Sequence, residues 1–159
     1  MEKPKFVYVT YITSTPEKVW NGLLNSEMTR QYWGNRTNAS DWKPGSRWEH
    51  RDVDDAKLVD VVGKVVESDP PRKLVITWAD PKDEGRPEAY SRVTMELVQF
   101  GELVRLTVTH EEFEVGSDML RNISYGWPIV LSSLKTLLET GKPMPMTSSR
   151  KGWPPKGSF

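Results

Sequence analysis

The stretch SDMLRNISYGWPIVLSSLKTLLETG, residues 117–141, decides the reading of this chain. Leu120, Ile123, Trp127, Leu131, Leu134 and Leu138 recur at spacings of three and four, which places them along one face of a long helix. Gly141 stands where a helix ends in a left-handed residue. Pro128 lies inside the stripe, and its missing N–H predicts a bend at Gly126-Trp127-Pro128. A single apolar stripe needs a surface to cover, and the rest of the chain supplies one.

Working backward from the helix, five segments show strand character: 46–52, 58–68, 72–79, 90–100 and 102–113. They are separated by Asp54-Asp55, Asp69-Pro70-Pro71, the Pro81–Pro87 stretch and Gly101, breaks short enough to predict antiparallel neighbours. One alternating set is apolar: Trp48, Val59, Val61, Val65, Leu74, Ile76, Trp78, Val93, Met95, Leu97, Val104, Leu106 and Val108. The opposite set holds Lys64, Thr77, Arg92, Glu96 and Arg105, so the sheet has one dry face and one wet face. At the start, Phe6–Thr13 alternates as a further strand. Thr15 as N-cap and Pro16 at the first helical position open a helix, with a second short one over 26–33. Residues 34–45 lack periodicity and read as a long surface loop.

This order predicts an α+β fold: a curved antiparallel sheet of about six strands wrapped around the long C-terminal helix, with two short helices after the first strand. Residues 1–141 form the expected domain, and the Pro- and Gly-rich residues 142–159 an extended or mobile tail. A length of 159 residues suits one domain. The 22 basic and 22 acidic residues cancel, which argues against a nucleic acid or a membrane surface as partner. There is no cysteine, so disulfides and thiolate sites are excluded. No apolar signal core or membrane-length run is present, and a cytoplasmic location is expected.

Seven Trp in so polar a chain need burial or a ligand. Trp33, Trp48, Trp78 and Trp127 come from four elements whose apolar faces converge, either as core packing or as the wall of a pocket. His50 shares strand parity with Trp48, and His110 with Leu106 and Val108, so both histidines face the same side. They are polar anchors or general-base candidates if a cavity exists, and hydrogen-bonded strand-end residues if it does not. Trp20 reads as core, Trp42 as a lid contact and Trp153 as an exposed tail residue. With two His and no Cys a metal site is not expected, nor is any cofactor.

Several phrases resemble one known family. Thr15-Pro16-Glu17-Lys18-Val19-Trp20 is similar to the entry of its first helix, Gln31-Tyr32-Trp33-Gly34 to a helix end, and Trp42-Lys43-Pro44-Gly45-Ser46-Arg47-Trp48 to the loop before a strand. Gly63-Lys64-Val65-Val66-Glu67 with Asp69-Pro70-Pro71-Arg72-Lys73-Leu74 looks like its central hairpin, Thr107-Val108-Thr109-His110-Glu111 its last strand, and Gly126-Trp127 through Gly141 its final helix. Over residues 6–143 the chain thus resembles the AHSA-like branch (activator of heat-shock protein 90 ATPase homologue) of the START-related, polyketide-cyclase-like SRPBCC superfamily. The resemblance implies a helix-grip fold with a cavity between sheet and helix. It also implies a stress-response role: the eponymous protein stimulates a chaperone ATPase with a similar domain and a separate N-terminal one, so a chaperone partner is carried over.

Three functions are therefore expected to compete. The first is binding of a small hydrophobic or aromatic molecule by Trp33, Trp48, His50, Val61, Trp78, Met95, Val108, His110, Trp127 and Leu131. The second is a co-chaperone-like interaction, with a homodimer as a further assembly. The third is a cyclase- or hydrolase-like reaction with His50 or His110 as base.

Overall fold

The structure is a computed structural model and describes residues 3–152. Strand β1 (Phe6–Thr13) leads into helices α1 (Pro16–Leu24) and α2 (Ser26–Tyr32), followed by β2 (Arg36–Ala39), β3 (Arg47–Asp52), β4 (Val59–Asp69), β5 (Lys73–Trp78), β6 (Ser91–Phe100), β7 (Leu103–Glu111) and helix α3 (Met119–Thr140). The strands form one antiparallel sheet in the order β1-β7-β6-β5-β4-β3-β2. This is the expected helix-grip arrangement, with seven strands instead of about six. The additional strand is β2, inside the stretch read as a loop. Its four residues, Arg-Thr-Asn-Ala, have too little apolar alternation to signal a strand; their pairing with β3 creates it.

Local chemistry sets the helix ends where the sequence places them. Thr15 accepts from the Lys18 N–H at 3.3 Å, Asn25 caps α2 through the Glu27 N–H at 2.9 Å, and Gly141 closes α3 at φ 84°. Helix α3 continues through Pro128. The inward set of the sheet is buried as its parity requires, from Trp48 and Val61 through Leu74, Ile76, Met95 and Leu97 to Leu106 and Val108. Trp20 packs half-buried against this core.

Gly63 is fixed by a close approach. It pairs with Trp48 across β3 and β4, and a Cβ built on it would lie 1.9 Å from the Thr77 carbonyl oxygen and 2.6 Å from Trp48 Nε1. That space is used by the Trp48 indole N–H, which donates to the Thr77 carbonyl at 2.8 Å.

Residues 142–152 fold back on the domain instead of extending from it. Thr147 is buried, its hydroxyl lies 2.8 Å from Ser133 Oγ on α3, and its carbonyl accepts from the Gly34 N–H at 2.7 Å. Polar side chains on α3 and the backbone after α2 thus anchor a segment whose composition reads as a free tail. Trp153 and the remaining tail residues lie outside the described part of the chain.

Candidate functional site

A cleft of about 550 Å³ opens between the sheet and the N-terminal half of α3. Strands β3, β4 and β5 supply His50, Val61 and Trp78; α3 supplies Ile123, Trp127 and Val130; Trp33 enters from the end of α2. Strand parity explains the first three, and the helical repeat explains the second three. Of the ten residues expected to contact a ligand, Trp33, His50, Val61, Trp78 and Trp127 line this cleft. Trp48, Met95, Val108, His110 and Leu131 are buried but do not border it. They belong to packing behind the wall, because parity selects a face of the sheet and cannot say where along that face helix and sheet separate.

A continuous run of rings makes up the wall and the layer behind it. Trp42 and Trp48 stand 6.3 Å apart, Trp48 and Trp78 5.4 Å, Trp78 and Trp127 5.5 Å, Trp127 and Trp33 5.7 Å, and Trp33 and His50 4.8 Å. Trp42 on Trp48 is stacked and Trp33 against Trp127 is edge-on, the two favourable geometries for aromatic pairs, and the other contacts are tilted between them. Trp42, at φ 60°, stacks on Trp48 and contributes to the wall's outer layer; it does not border the cleft.

The two histidines, alike in sequence, have different surroundings. His110 is fully buried and satisfied on both nitrogens. The Trp127 indole N–H donates to Nδ1 at 3.1 Å, so the ring proton resides on Nε2, which donates to Ser91 Oγ at 2.7 Å; Ser91 in turn donates to the Trp78 carbonyl at 3.0 Å. Burial pushes its pKa down to about 3. This neutral relay fixes both Trp78 and Trp127 and leaves His110 no lone pair for catalysis. His50 is also buried, and burial, reinforced by the Arg150 and Arg36 charges and opposed by Asp60, pushes its pKa down to about 3. Its Nδ1 meets Asn38 Oδ1 at 2.7 Å, while Nε2 has no hydrogen-bond partner.

Charged residues mark the rim. The Arg36 guanidinium donates to Asp52 at 2.6 Å and to Asp60 at 2.7 Å, and Arg150 donates to Asp60 at 3.1 Å. Arg36, Asp60, Asp80 and Arg150 all line the cleft. None of them stands out in the sequence: Arg36 falls in the misread loop, Asp60 and Asp80 look like ordinary surface charge, and Arg150 lies in the tail. Asn38, which orients His50, is hidden for the same reason as Arg36. Among the described residues no group of three His, Asp or Glu side chains is placed to hold a metal ion, and no helix is long and apolar enough to cross a membrane.

Comparison with known proteins agrees with this architecture. The chain resembles the solution structure of the Aha1 dimer from Colwellia psychrerythraea at 21% identity and TM-score 0.67, covering 87% of this chain and 98% of that one. It resembles the crystal structure of an HSP90 activator from Plasmodium falciparum at 21% identity and TM-score 0.68, over 84% and 95% of the two chains. CalU16 from Micromonospora echinospora matches at 17% identity and TM-score 0.69, over 89% and 69%. At these identities the likeness shows the shared fold. No curated protein matches the chain. The family model for Activator of Hsp90 ATPase homolog 1-like protein matches residues 13–139, from the end of β1 to the last turn of α3, and the chain belongs to that family.

Proposed function

We propose that this protein binds a small, largely apolar aromatic molecule in the cleft between sheet and α3. The observation that carries the proposal is a space of about 550 Å³ walled by the indoles of Trp33, Trp78 and Trp127. That volume lies within the range of small-molecule sites, and a few polar groups among apolar walls are the usual composition of such sites. Native mass spectrometry of freshly purified protein tests it. A retained molecule of a few hundred daltons, released by Trp33→Ala, is expected. A clean apo mass together with no quenching of tryptophan fluorescence by any apolar aromatic probe overturns it.

A second reading rests on the family match: association with a chaperone ATPase, with a second copy of the chain as a further partner. Its test is capture of purified Hsp90 and stimulation of ATP hydrolysis; failure of both removes it. A hydrolase- or cyclase-like reaction in the cleft would have to use His50, since His110 is committed on both nitrogens.

A further inference from the structure

His50 has a defined tautomer, and the reason lies on the neighbouring strand β2. Asn38 lies opposite His50 in the β2–β3 register, and its Nδ2 donates to the Leu23 carbonyl at 2.9 Å. That contact orients the amide, because the reversed orientation would set two carbonyl oxygens against each other. Asn38 Oδ1 therefore faces His50 and has no proton to give, so His50 Nδ1 carries the hydrogen across the 2.7 Å contact. A neutral imidazole holds one N–H. Nε2 is consequently a bare acceptor, buried, without a partner among the described residues, on a ring that lines the cleft. Such an orphaned lone pair costs roughly 1–3 kcal/mol until a donor meets it. Phenylalanine in this place would pack beside Trp33 without that cost.

The geometry points to a ligand that is a neutral hydroxyaromatic, with its hydroxyl donating to His50 Nε2 and its ring among Trp33, Trp78 and Trp127. This deepens the binding reading above and rests on it. A carboxylate is disfavoured twice. It has no proton for Nε2, and the charged lining residues, Arg36 and Arg150 against Asp60 and Asp80, cancel, with Asp60 accepting from both guanidiniums. An anion would lose its hydration without meeting an excess of positive charge.

The test is isothermal titration of the full chain at neutral pH with three probes of one shape: 2-naphthol, 2-methoxynaphthalene and 2-naphthoate. Naphthol is expected to bind about tenfold tighter than the methyl ether, the worth of one hydrogen bond to a buried acceptor, with naphthoate weakest. In His50→Phe the naphthol-to-ether ratio falls to about one. In wild-type protein, where no variant needs to fold, the ¹⁵N resonance of His50 Nε2 moves upfield with naphthol and stays in place with the ether. Equal affinities for naphthol and ether in the wild type overturn the hydroxyl proposal while the binding reading stands. No heat and no shift with any of the three probes overturns both.

Discussion

The two halves of α3 do opposite things with the same apolar repeat. Its C-terminal half is closed against the fold: Leu131, Leu134 and Leu137 are buried, and α1 presses so near that a Cβ on Gly22 would meet Leu134 Cδ1 at 2.9 Å. Polar ties hold the same end, with Lys135 donating to the Tyr11 carbonyl at 2.6 Å and Glu139 accepting the Thr13 N–H at 2.8 Å. The N-terminal half, from Met119 to Val130, borders the cleft. A helix stripe therefore specifies that a face is apolar; what stands opposite decides whether it becomes core or pocket wall. At the closed end α3 packs against β1 and α1, with Leu134 and Leu138 beside Gly22. At the open end the Trp127 indole meets Trp33 edge-on and Trp78 at a tilt, and all three border the cleft.

The largest expected effect lies in β3 and β4, the strands that supply His50 and Val61 to the open end. Gly63→Ala drives a methyl group into the Thr77 carbonyl. Because backbone cannot move aside as the Leu134 methyl beside Gly22 can, a loss of about 4 kcal/mol in urea unfolding is expected, above the usual cost of overpacking. A normal midpoint for this variant would show that β4 and β5 can move apart at Gly63 and Thr77 without loss.

Next comes the closed half itself. Leu134→Ala opens a dry void and is expected to cost about 3 kcal/mol. Acid then compares the two histidines. Both have folded pKa values below the ordinary 6.5, so the stability they contribute is complete above that value and is lost as pH falls from 6.5 toward 3. Between pH 6.5 and pH 5 each accounts for about 1.5 kcal/mol, and His50→Phe should halve the wild-type slope. An unchanged slope in His50→Phe would mean that the cleft already hydrates His50 and that its orphaned nitrogen is met by water.

Ile123→Ala, on the open half of α3, sharpens the contrast with Leu134. The enlarged space joins the existing cleft, so the cavity part of the cost is small and a loss of about 2 kcal/mol, the low end for such a truncation, is expected. Equal losses at 123 and 134 would erase the distinction between the halves. The smallest effect is Arg150→Ala, which removes a half-exposed ion pair at the rim and should change stability by less than about 0.5 kcal/mol.

Both histidines show how far sequence parity reaches. Alternation along β3 and β7 places His50 and His110 on the dry face correctly, and the three-and-four spacing in α3 does the same for Trp127. Parity is silent on position along that face, which is why Met95, Val108 and Leu131 read as pocket residues and are core. It is silent also on polar partners: Ser91 and Trp127 reach His110 from 19 and 17 residues away in the chain, and Asn38 reaches His50 from 12.

Local periodicity, capping residues and short turns determined the element order, the dry face of the sheet and the helix laid over it, because these follow from the geometry of a few neighbouring residues. Only the tertiary structure decided that β2 is a strand, that residues 142–152 return to the domain, and that Arg36, Asp60 and Arg150 meet at one rim. Each depends on contacts between distant segments of which at least one carries no period of its own. The cleft belongs to the same class, since a space is set by how far apart the packed elements stand.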